Sequence, residues 1–272
     1  MPRTPRLLRP FAALLLAMLA VVSLGNPLCF AADVPTPAPV PTTPSRQKVV
    51  LIILTNHDKL GDTGKATGAY LSEVSHPYYA FLAAGCDVTF ASPKGGVAPL
   101  TGIEEAAKDP VSQRFLKDSA AMQALKVTRP ISEVKAADYA AIFFPGGHGT
   151  MYDLPDAKEL NAFTGRFYDA GGVVSAVCHG PAGLINVKQA NGSYLVAGKE
   201  VSCFTNEEET AVGLAQVMPF LLESKLIERG AKITKAGKFQ KHVVVADRLV
   251  TGQNPASAGS VAEEVLKLLK VK

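Results

Sequence analysis

The chain has 272 residues, of which 47% are hydrophobic and 19% charged, and its formal net charge is +4. This length and composition suit a globular protein with one large domain or at most two small ones. Three arginines lie within the first nine residues, and without them the formal charge falls to +1 with no block of like charge left. Nucleic acid and anionic membranes are therefore not expected as partners.

An export signal is predicted at the N-terminus. The three arginines precede an apolar run over residues 11–25, no acidic residue is present, and small residues at positions 29 and 31 suit cleavage after Ala31. The run is shorter than the roughly 20 residues that a membrane-spanning helix needs. This favours a cleaved signal peptide over residues 1–31 rather than an uncleaved anchor, and hence an exported, periplasmic protein without membrane attachment.

A proline-rich linker is predicted over residues 32–46, because its prolines favour an extended tether. One catalytic domain is expected over residues 47–272. Signal cleavage would leave the three cysteines Cys86, Cys178 and Cys203, an odd number, so at least one thiol should stay free even in an oxidising compartment. Nothing in the spacing favours a disulfide between the first and the last of them.

Short aliphatic runs and amphipathic stretches alternate along the domain. Strands are predicted over 49–54, 87–91, 139–144, 173–177 and 200–204, helices over 71–84, 111–125, 156–170, 207–229 and 255–270, and a hairpin over 242–246 and 249–251. Continuous runs of Val, Ile, Leu and Phe are typical of strands buried on both faces. The alternation predicts an α/β fold with a parallel sheet and right-handed crossovers.

Cys178 is the candidate nucleophile. It follows the buried strand 173–177 and precedes His179-Gly180-Pro181. A tight strand-to-helix turn presents the side chain at its apex, and the amides of the next helix are expected to lower the cysteine pKa. Most free cysteines are small buried hydrophobes, but a following histidine and glycine are out of place in a core strand.

A second turn, Phe144-Pro-Gly-Gly-His-Gly149, also follows a predicted strand. Glycines let the backbone turn sharply and approach a ligand. The amides near Gly146 and Gly147, together with that of His179, form a candidate oxyanion hole. Without Cys178, the same segment would be as typical of an ordinary strand-to-helix turn as of a functional loop.

Two further polar residues lie in the first predicted helix. A lone helical residue such as Glu73 is usually a solvated surface group. His76, which precedes a proline, is more often a packing or capping residue than a metal ligand. No further ligand at metal-binding spacing lies near it, so no metal site is expected.

Four features together resemble the ThiJ/PfpI superfamily, and more closely its heat-shock chaperone and glutathione-independent glyoxalase (glyoxalase III) branch. They are Ala176-Val-Cys-His-Gly-Pro-Ala182, Phe144-Pro-Gly-Gly-His-Gly-Thr150, Glu73 and Thr251-Gly-Gln-Asn-Pro-Ala-Ser257. The resemblance extends over about residues 48–269. It implies a flavodoxin-like, three-layer α/β sandwich with a mostly parallel central sheet and a nucleophile elbow, related to class I glutamine amidotransferase domains.

The resemblance also implies roles for single residues. Cys178 would be the nucleophile, Glu73 the carboxyl group that hydrogen-bonds its sulfur, and His179 the proton-transfer partner. A segment of the glyoxalase branch matches Phe204-Thr-Asn-Glu-Glu-Glu-Thr210 and places a third catalytic role on Glu209.

The register of that segment is open, since Glu207 and Glu208 adjoin Glu209. His148 and the glycine pair before it match the substrate-side loop of the family.

The related amidotransferases carry a late histidine followed two positions on by a glutamate, whereas His242 is followed by two valines. Glutamine hydrolysis is therefore disfavoured.

The function implied is that of a lyase: a cysteine-dependent, glutathione-independent glyoxalase that converts methylglyoxal to lactate, or a related carbonyl-detoxifying enzyme. Its partner would be a small 2-oxoaldehyde substrate, with no cofactor and no metal, and a homodimer is expected. A stress chaperone or holdase, and a cysteine amidase or peptidase of the same superfamily, remain open as alternatives.

Overall fold

The structure is a computed structural model that describes residues 48–271. The predicted signal peptide (1–31) and linker (32–46) lie outside the described residues. Within residues 48–271, none of the helices combines the length and the apolar character that crossing a bilayer requires.

Eleven strands and eight α-helices are described in this part of the chain. The strands are β1 (Val49–Ile53), β2 (Ala69–Tyr70), β3 (Asp87–Ser92), β4 (Leu100–Thr101), β5 (Arg129–Pro130), β6 (Ala141–Phe144), β7 (Val173–Val177), β8 (Glu200–Val201), β9 (Lys232–Ile233), β10 (Val243–Ala246) and β11 (Leu249–Gly252). The helices are α1 (Leu71–Ala83), α2 (Pro110–Lys117), α3 (Ser119–Lys126), α4 (Thr150–Asp153), α5 (Lys158–Asp169), α6 (Asn206–Ala211), α7 (Leu222–Glu228) and α8 (Ala258–Leu268).

Seven strands form one central sheet in the order β10-β11-β7-β6-β1-β3-β5. All neighbours in it are parallel except β10 and β11, which form the predicted hairpin. Two small parallel pairs, β2 with β4 and β8 with β9, lie outside it. The predicted fold class, a mostly parallel α/β sandwich, is confirmed.

The central strands β1 and β6 are buried on both faces because they are apolar at every position. In β1, Val50 and Ile52 pack into one hydrophobic core, which α1 and α8 cover, while Leu51 and Ile53 pack into the core on the opposite face, which α5 covers. This alternation of side chains between faces is the two-residue period of a strand. Layers of helices therefore enclose the sheet on both sides.

Two of the long helices predicted from the sequence are wrong, because each is divided into two shorter helices. The stretch 111–125 divides into α2 and α3 at Asp118, whose carboxylate accepts hydrogen bonds from the first amides of α3. The stretch 207–229 divides into α6 and α7, because Gly213 has a positive φ of 75° and Pro219 follows before α7 begins.

Smaller differences concern strands. The predicted strand 200–204 pairs only over Glu200–Val201, in a two-stranded side sheet. The edge strand Arg129–Pro130 was not predicted, since two residues give no periodic pattern. The strands that position the site, β6 and β7, are as expected, and they pair from Ala141 with Val173 to Phe144 with Ala176. The loops at their carboxyl ends are therefore neighbours.

Candidate active site

Cys178 lies at the apex of a left-handed turn directly after β7. Its φ is 59°, an uncommon conformation for a residue with a side chain. Two backbone hydrogen bonds hold the turn, from the Cys178 amide to the carbonyl of Gly252 (2.9 Å) and from the Phe204 amide to the carbonyl of Cys178 (2.8 Å). The side chain is buried, with 4% of the residue exposed.

The glycine loop after β6 packs directly against this turn. A Cβ atom on Gly146 would lie 2.5 Å from the His179 amide nitrogen and 2.8 Å from Glu73 Oε2. The buried hydroxyl of Thr150 also joins the two turns, because it lies 2.8 Å from the carbonyl of Gly147 and 3.1 Å from that of His179. Only glycine fits at position 146, so the loop can approach the thiol.

Glu73 is fully buried on α1, not solvated as a lone helical glutamate usually is. Its Oε2 accepts a hydrogen bond from the Gly146 amide (2.7 Å), and within residues 48–271 its Oε1 has no hydrogen-bond partner of normal geometry. Burial raises the pKa of Glu73 to about 8, although the Gly146 amide and the Cys178 thiol lower it. The carboxyl is therefore mainly protonated at neutral pH, and its proton is available to the sulfur.

The Gly146 amide is thereby used by Glu73 and cannot contribute to an oxyanion hole. This corrects the expectation that the amides of both Gly146 and Gly147 stabilise developing charge. The amides of Gly147 and His179 instead face the sulfur and favour its ionised form. The available donors are thus one amide from each turn.

The expected low pKa of Cys178 is also wrong for the resting site. Burial, followed by the negative charge that Glu73 carries once it is ionised, raises the pKa of the thiol well above its ordinary value, and the two amides lower it less. The element after the turn is a 3₁₀ helix, Gly180–Leu184, rather than the α-helix whose dipole was expected to favour a thiolate. The thiol at rest therefore keeps its proton and needs a base.

His179 is positioned to act as that base. Its Nδ1 lies 3.3 Å from Cys178 Sγ, and its Nε2 lies 2.7 Å from Glu209 Oε2. Burial, followed by the electrostatic effect of the neighbouring His148 ring, lowers the pKa of His179 to about 4, whereas Glu209 raises it. The ring is therefore neutral at neutral pH and can accept a proton.

The ionisation state of Glu209 determines which nitrogen of the His179 ring carries the proton. Burial by itself would raise its pKa, but the hydrogen bonds from His148 and His179 outweigh burial and lower the pKa to about 2. An ionised carboxylate only accepts hydrogen bonds, so His179 Nε2 must carry the ring proton. Nδ1 is then unprotonated and directed at the thiol.

His148 shares the same carboxylate from the glycine loop. Its Nε2 lies 2.9 Å from Glu209 Oε1, and its ring centroid lies 4.2 Å from that of His179. The His148 side chain is 21% exposed, against 1% for His179. The structure thus brings His148 to the carboxylate, a contact that its place in the sequence did not predict.

The three adjacent glutamates of α6 have different environments. Glu207 is exposed, whereas Glu208 is buried and caps the helix through the amide and hydroxyl of Thr205 (2.9 and 3.0 Å). Only Glu209 contacts the two histidines. The geometry therefore agrees with the register that the resemblance implied.

Glu208 also anchors two later segments of the chain. Its Oε1 accepts hydrogen bonds from the amide of Phe239 (2.7 Å) and from the side chains of Gln253 (3.1 Å) and Asn254 (2.8 Å). The sequence pattern by itself does not predict this role for Glu208. The Thr-Gly-Gln-Asn stretch near the C-terminus thus supports the helix that carries Glu209.

Two other histidines, His76 and His242, lie outside the candidate active site. His76 pairs with Asp109 (2.9 Å), which caps α2. His242 lies 3.0 Å from the hydroxyl of Thr234. The structure thus gathers Glu73, Cys178 and His179 with the glycine loop and Glu209, and gives these two histidines other partners.

A parallel α/β sheet with a cysteine in a strained turn at the carboxyl end of a central strand, beside a hydrogen-bonded histidine and carboxylate, defines the class of α/β proteins with a nucleophile elbow. Within that class the assignment is specific. The family model of the DJ-1/PfpI family matches residues 65–268, and the chain belongs to this family.

Named relatives are similar over most of their length. Glyoxalase 3 of Candida albicans is 34% identical over 234 residues, which cover 80% of this chain and 97% of the relative. A glutathione-independent glyoxalase of Saccharomyces cerevisiae is 35% identical over 239 residues, which cover 82% of this chain and 98% of the relative. The resemblance to the glyoxalase III branch is thereby confirmed.

Solved structures of related proteins have the same fold. The rapid encystment protein of 24 kDa from Francisella tularensis superimposes with a TM-score of 0.78 at 38% identity, covering 81% of this chain and 98% of that one. Glyoxalase III of Candida albicans superimposes with a TM-score of 0.76 at 31% identity, covering 82% of this chain and 98% of that one.

The anchoring role of Glu208 is testable with its exposed neighbour as control. Glu208→Ala should lower the free energy of unfolding by at least about 3 kcal/mol, because each buried donor left without an acceptor costs about 1–3 kcal/mol. Glu207→Ala should change it by less than about 0.5 kcal/mol, as surface substitutions do. Denaturant unfolding measures both, and equal effects would contradict the anchoring role.

The raised pKa of Glu73 predicts a pH dependence of stability. The carboxyl ionises near its ordinary value of 4.5 when unfolded and at about 8 when folded, so the folded state binds more protons between these values. Stability is then lost as pH rises through this window. Glu73→Gln, which resembles the protonated form, should lack this loss, so its stability relative to wild type should increase from pH 4.5 to about 8 and then level off.

Denaturant unfolding at a series of pH values measures this difference. A difference between Glu73→Gln and wild type that stays constant across the window would show that Glu73 is ionised in the folded protein.

Proposed function

We propose that the chain is a cysteine-dependent, glutathione-independent glyoxalase that converts a small 2-oxoaldehyde such as methylglyoxal to the 2-hydroxy acid, here lactate. The observation that carries the proposal is the Cys178–His179–Glu209 arrangement, with a neutral imidazole 3.3 Å from the thiol and 2.7 Å from an ionised carboxylate. The sequence similarity to proteins named as glutathione-independent glyoxalases supports it.

The first step joins the substrate to the enzyme. Cys178 Sγ attacks the aldehyde carbon while its proton passes to His179 Nδ1, and the product is a hemithioacetal. The carbonyl oxygen takes up the negative charge beside the amides of Gly147 and His179, which act as the oxyanion donors. Protonated Glu73 lies behind the sulfur and adds no competing negative charge.

The second step moves hydrogen between the two former carbonyl carbons. His179 first returns the thiol proton to the oxygen of the hemithioacetal, and the neutral ring then removes the proton from the first carbon. An enediol forms, the same imidazole returns this proton to the second carbon, and the hydroxyl proton passes from the first oxygen to the second. Glu209 stabilises the imidazolium during the transfer. The first carbon is oxidised to a thioester and the second is reduced to an alcohol, so no external redox partner is required.

In the last step, water hydrolyses the thioester, which releases lactate and restores the thiol. Substrate and water together supply all the atoms of the product. The imidazole that accepted the thiol proton is placed to activate this water. The enclosed site, in which Cys178 and His179 are almost fully buried, suits a substrate as small as a 2-oxoaldehyde.

Two substitutions and one control variant test the proposal in an assay of D-lactate formation from methylglyoxal without glutathione. Cys178→Ala should abolish the activity, and Cys86→Ala, which changes a buried cysteine between α1 and β3, should not. Glu209→Gln should lower the rate by about four orders of magnitude, because an amide can donate to His179 and hold the wrong tautomer. Full activity in Cys178→Ala would refute the assignment.

We also propose that residues 1–31 act as an export signal, that the mature protein resides in the periplasm, and that it forms a homodimer. The arginine-led apolar run supports export, and the formal charge near zero that remains is compatible with a freely diffusing protein. Expression of the full chain in a Gram-negative host should yield periplasmic protein that begins at Ala32 and elutes as a dimer in size-exclusion chromatography. Recovery of intact Met1 in the cytosol would contradict export.

A further inference from the structure

The three donor groups of His148, His179 and Glu209 form a compact cluster. One ligand atom of each lies within 4.8 Å of the other two, and both Nε2 atoms already contact the carboxylate, at 2.9 and 2.7 Å. Within residues 48–271, this is the one group of three or more His, Cys, Asp or Glu side chains assembled so closely. Two imidazoles and a carboxylate are the ligand set of several zinc enzymes.

The cluster is also supported and accessible. Each ligand comes from a separate element: the glycine loop, the turn after β7, and α6, which Glu208 anchors. Zinc binds imidazole nitrogen and carboxylate oxygen at about 2.0–2.2 Å, so short side-chain movements would bring these atoms to an ion. The exposed fraction of His148 provides the route from solvent.

We propose that His148, His179 and Glu209 bind a divalent transition-metal ion, with zinc as the representative, and that the ion inhibits the enzyme reversibly. The site has three protein ligands and a fourth position open to water. The binding claim is independent of the substrate, whereas the inhibition claim rests on the proposed glyoxalase function.

The expected inhibition depends on which nitrogen of the His179 ring binds the metal ion and which one carries the proton. A metal ion on His179 Nε2 requires that the ring proton be on Nδ1, which lies 3.3 Å from Cys178 Sγ. Nδ1 would then donate to the sulfur and could not accept the thiol proton. Binding transfers one ring proton from Nε2 to Nδ1 and involves no electron transfer.

Calorimetric titration with zinc chloride at neutral pH tests binding by chelator-treated protein. Wild type should bind one ion, and His148→Gln should bind at least about 100-fold more weakly, because its amide still donates to Glu209 but is a poor zinc ligand. The matched control is His76→Gln, which alters a histidine paired with a single carboxylate and should bind like wild type. Equal affinity in wild type and His148→Gln, or no binding by wild type, would overturn the site.

Alkylation of Cys178 by iodoacetamide, followed by peptide mass spectrometry, tests the consequence without any substrate. Zinc should slow alkylation in wild type, a chelator should restore it, and His148→Gln should show no effect of zinc at the same concentration. Unchanged alkylation in zinc-saturated wild type would refute the inhibition. If wild type forms no lactate but zinc still slows alkylation, the metal site stands and the glyoxalase function fails.

Discussion

Two imidazole rings converge on the carboxylate of Glu209, and the hydrogen bond from His179 to that carboxylate fixes where the ring proton lies. Because the carboxylate only accepts, His179 must donate from Nε2, and Nδ1 is left to face the thiol of Cys178. The chemistry proposed for the site depends on this one tautomer. A buried thiol whose pKa is raised cannot act as a nucleophile unless a neighbouring group removes its proton.

Buried carboxyl groups support the site in opposite states of charge. Glu73 accepts one backbone hydrogen bond, so burial prevails and raises its pKa to about 8, whereas Glu209 accepts hydrogen bonds from two imidazoles, which lower its pKa to about 2. A neutral acid beside the sulfur and an ionised one beside the histidine let a proton move from thiol to imidazole with no negative charge next to the sulfur. Glu208 has a structural role, since it fixes the helix that carries Glu209.

The sequence predicted the fold and the principal site residues for physical reasons that are local. Strands buried on both faces and the turns after β6 and β7 leave clear patterns, and the resemblance placed Glu73, His179 and Glu209 beside Cys178. Contacts between distant segments leave no such pattern. The use of the Gly146 amide by Glu73, the contact of His148 with Glu209 and the buried position of Glu208 depend on packing that periodicity does not encode. The pKa of Cys178 is raised rather than lowered, because burial outweighs the amides of the turn.

The tautomer of His179 is the most direct test of this account. In the protein labelled with ¹⁵N histidine, NMR at neutral pH should show His179 as a neutral ring with its proton on Nε2 and an unprotonated Nδ1. The Glu209→Gln variant should lose this preference, which would assign the effect to the carboxylate. A His179 ring in wild type that carries its proton on Nδ1, or on both nitrogens, would contradict the claim that Glu209 prepares this histidine to accept the proton of Cys178.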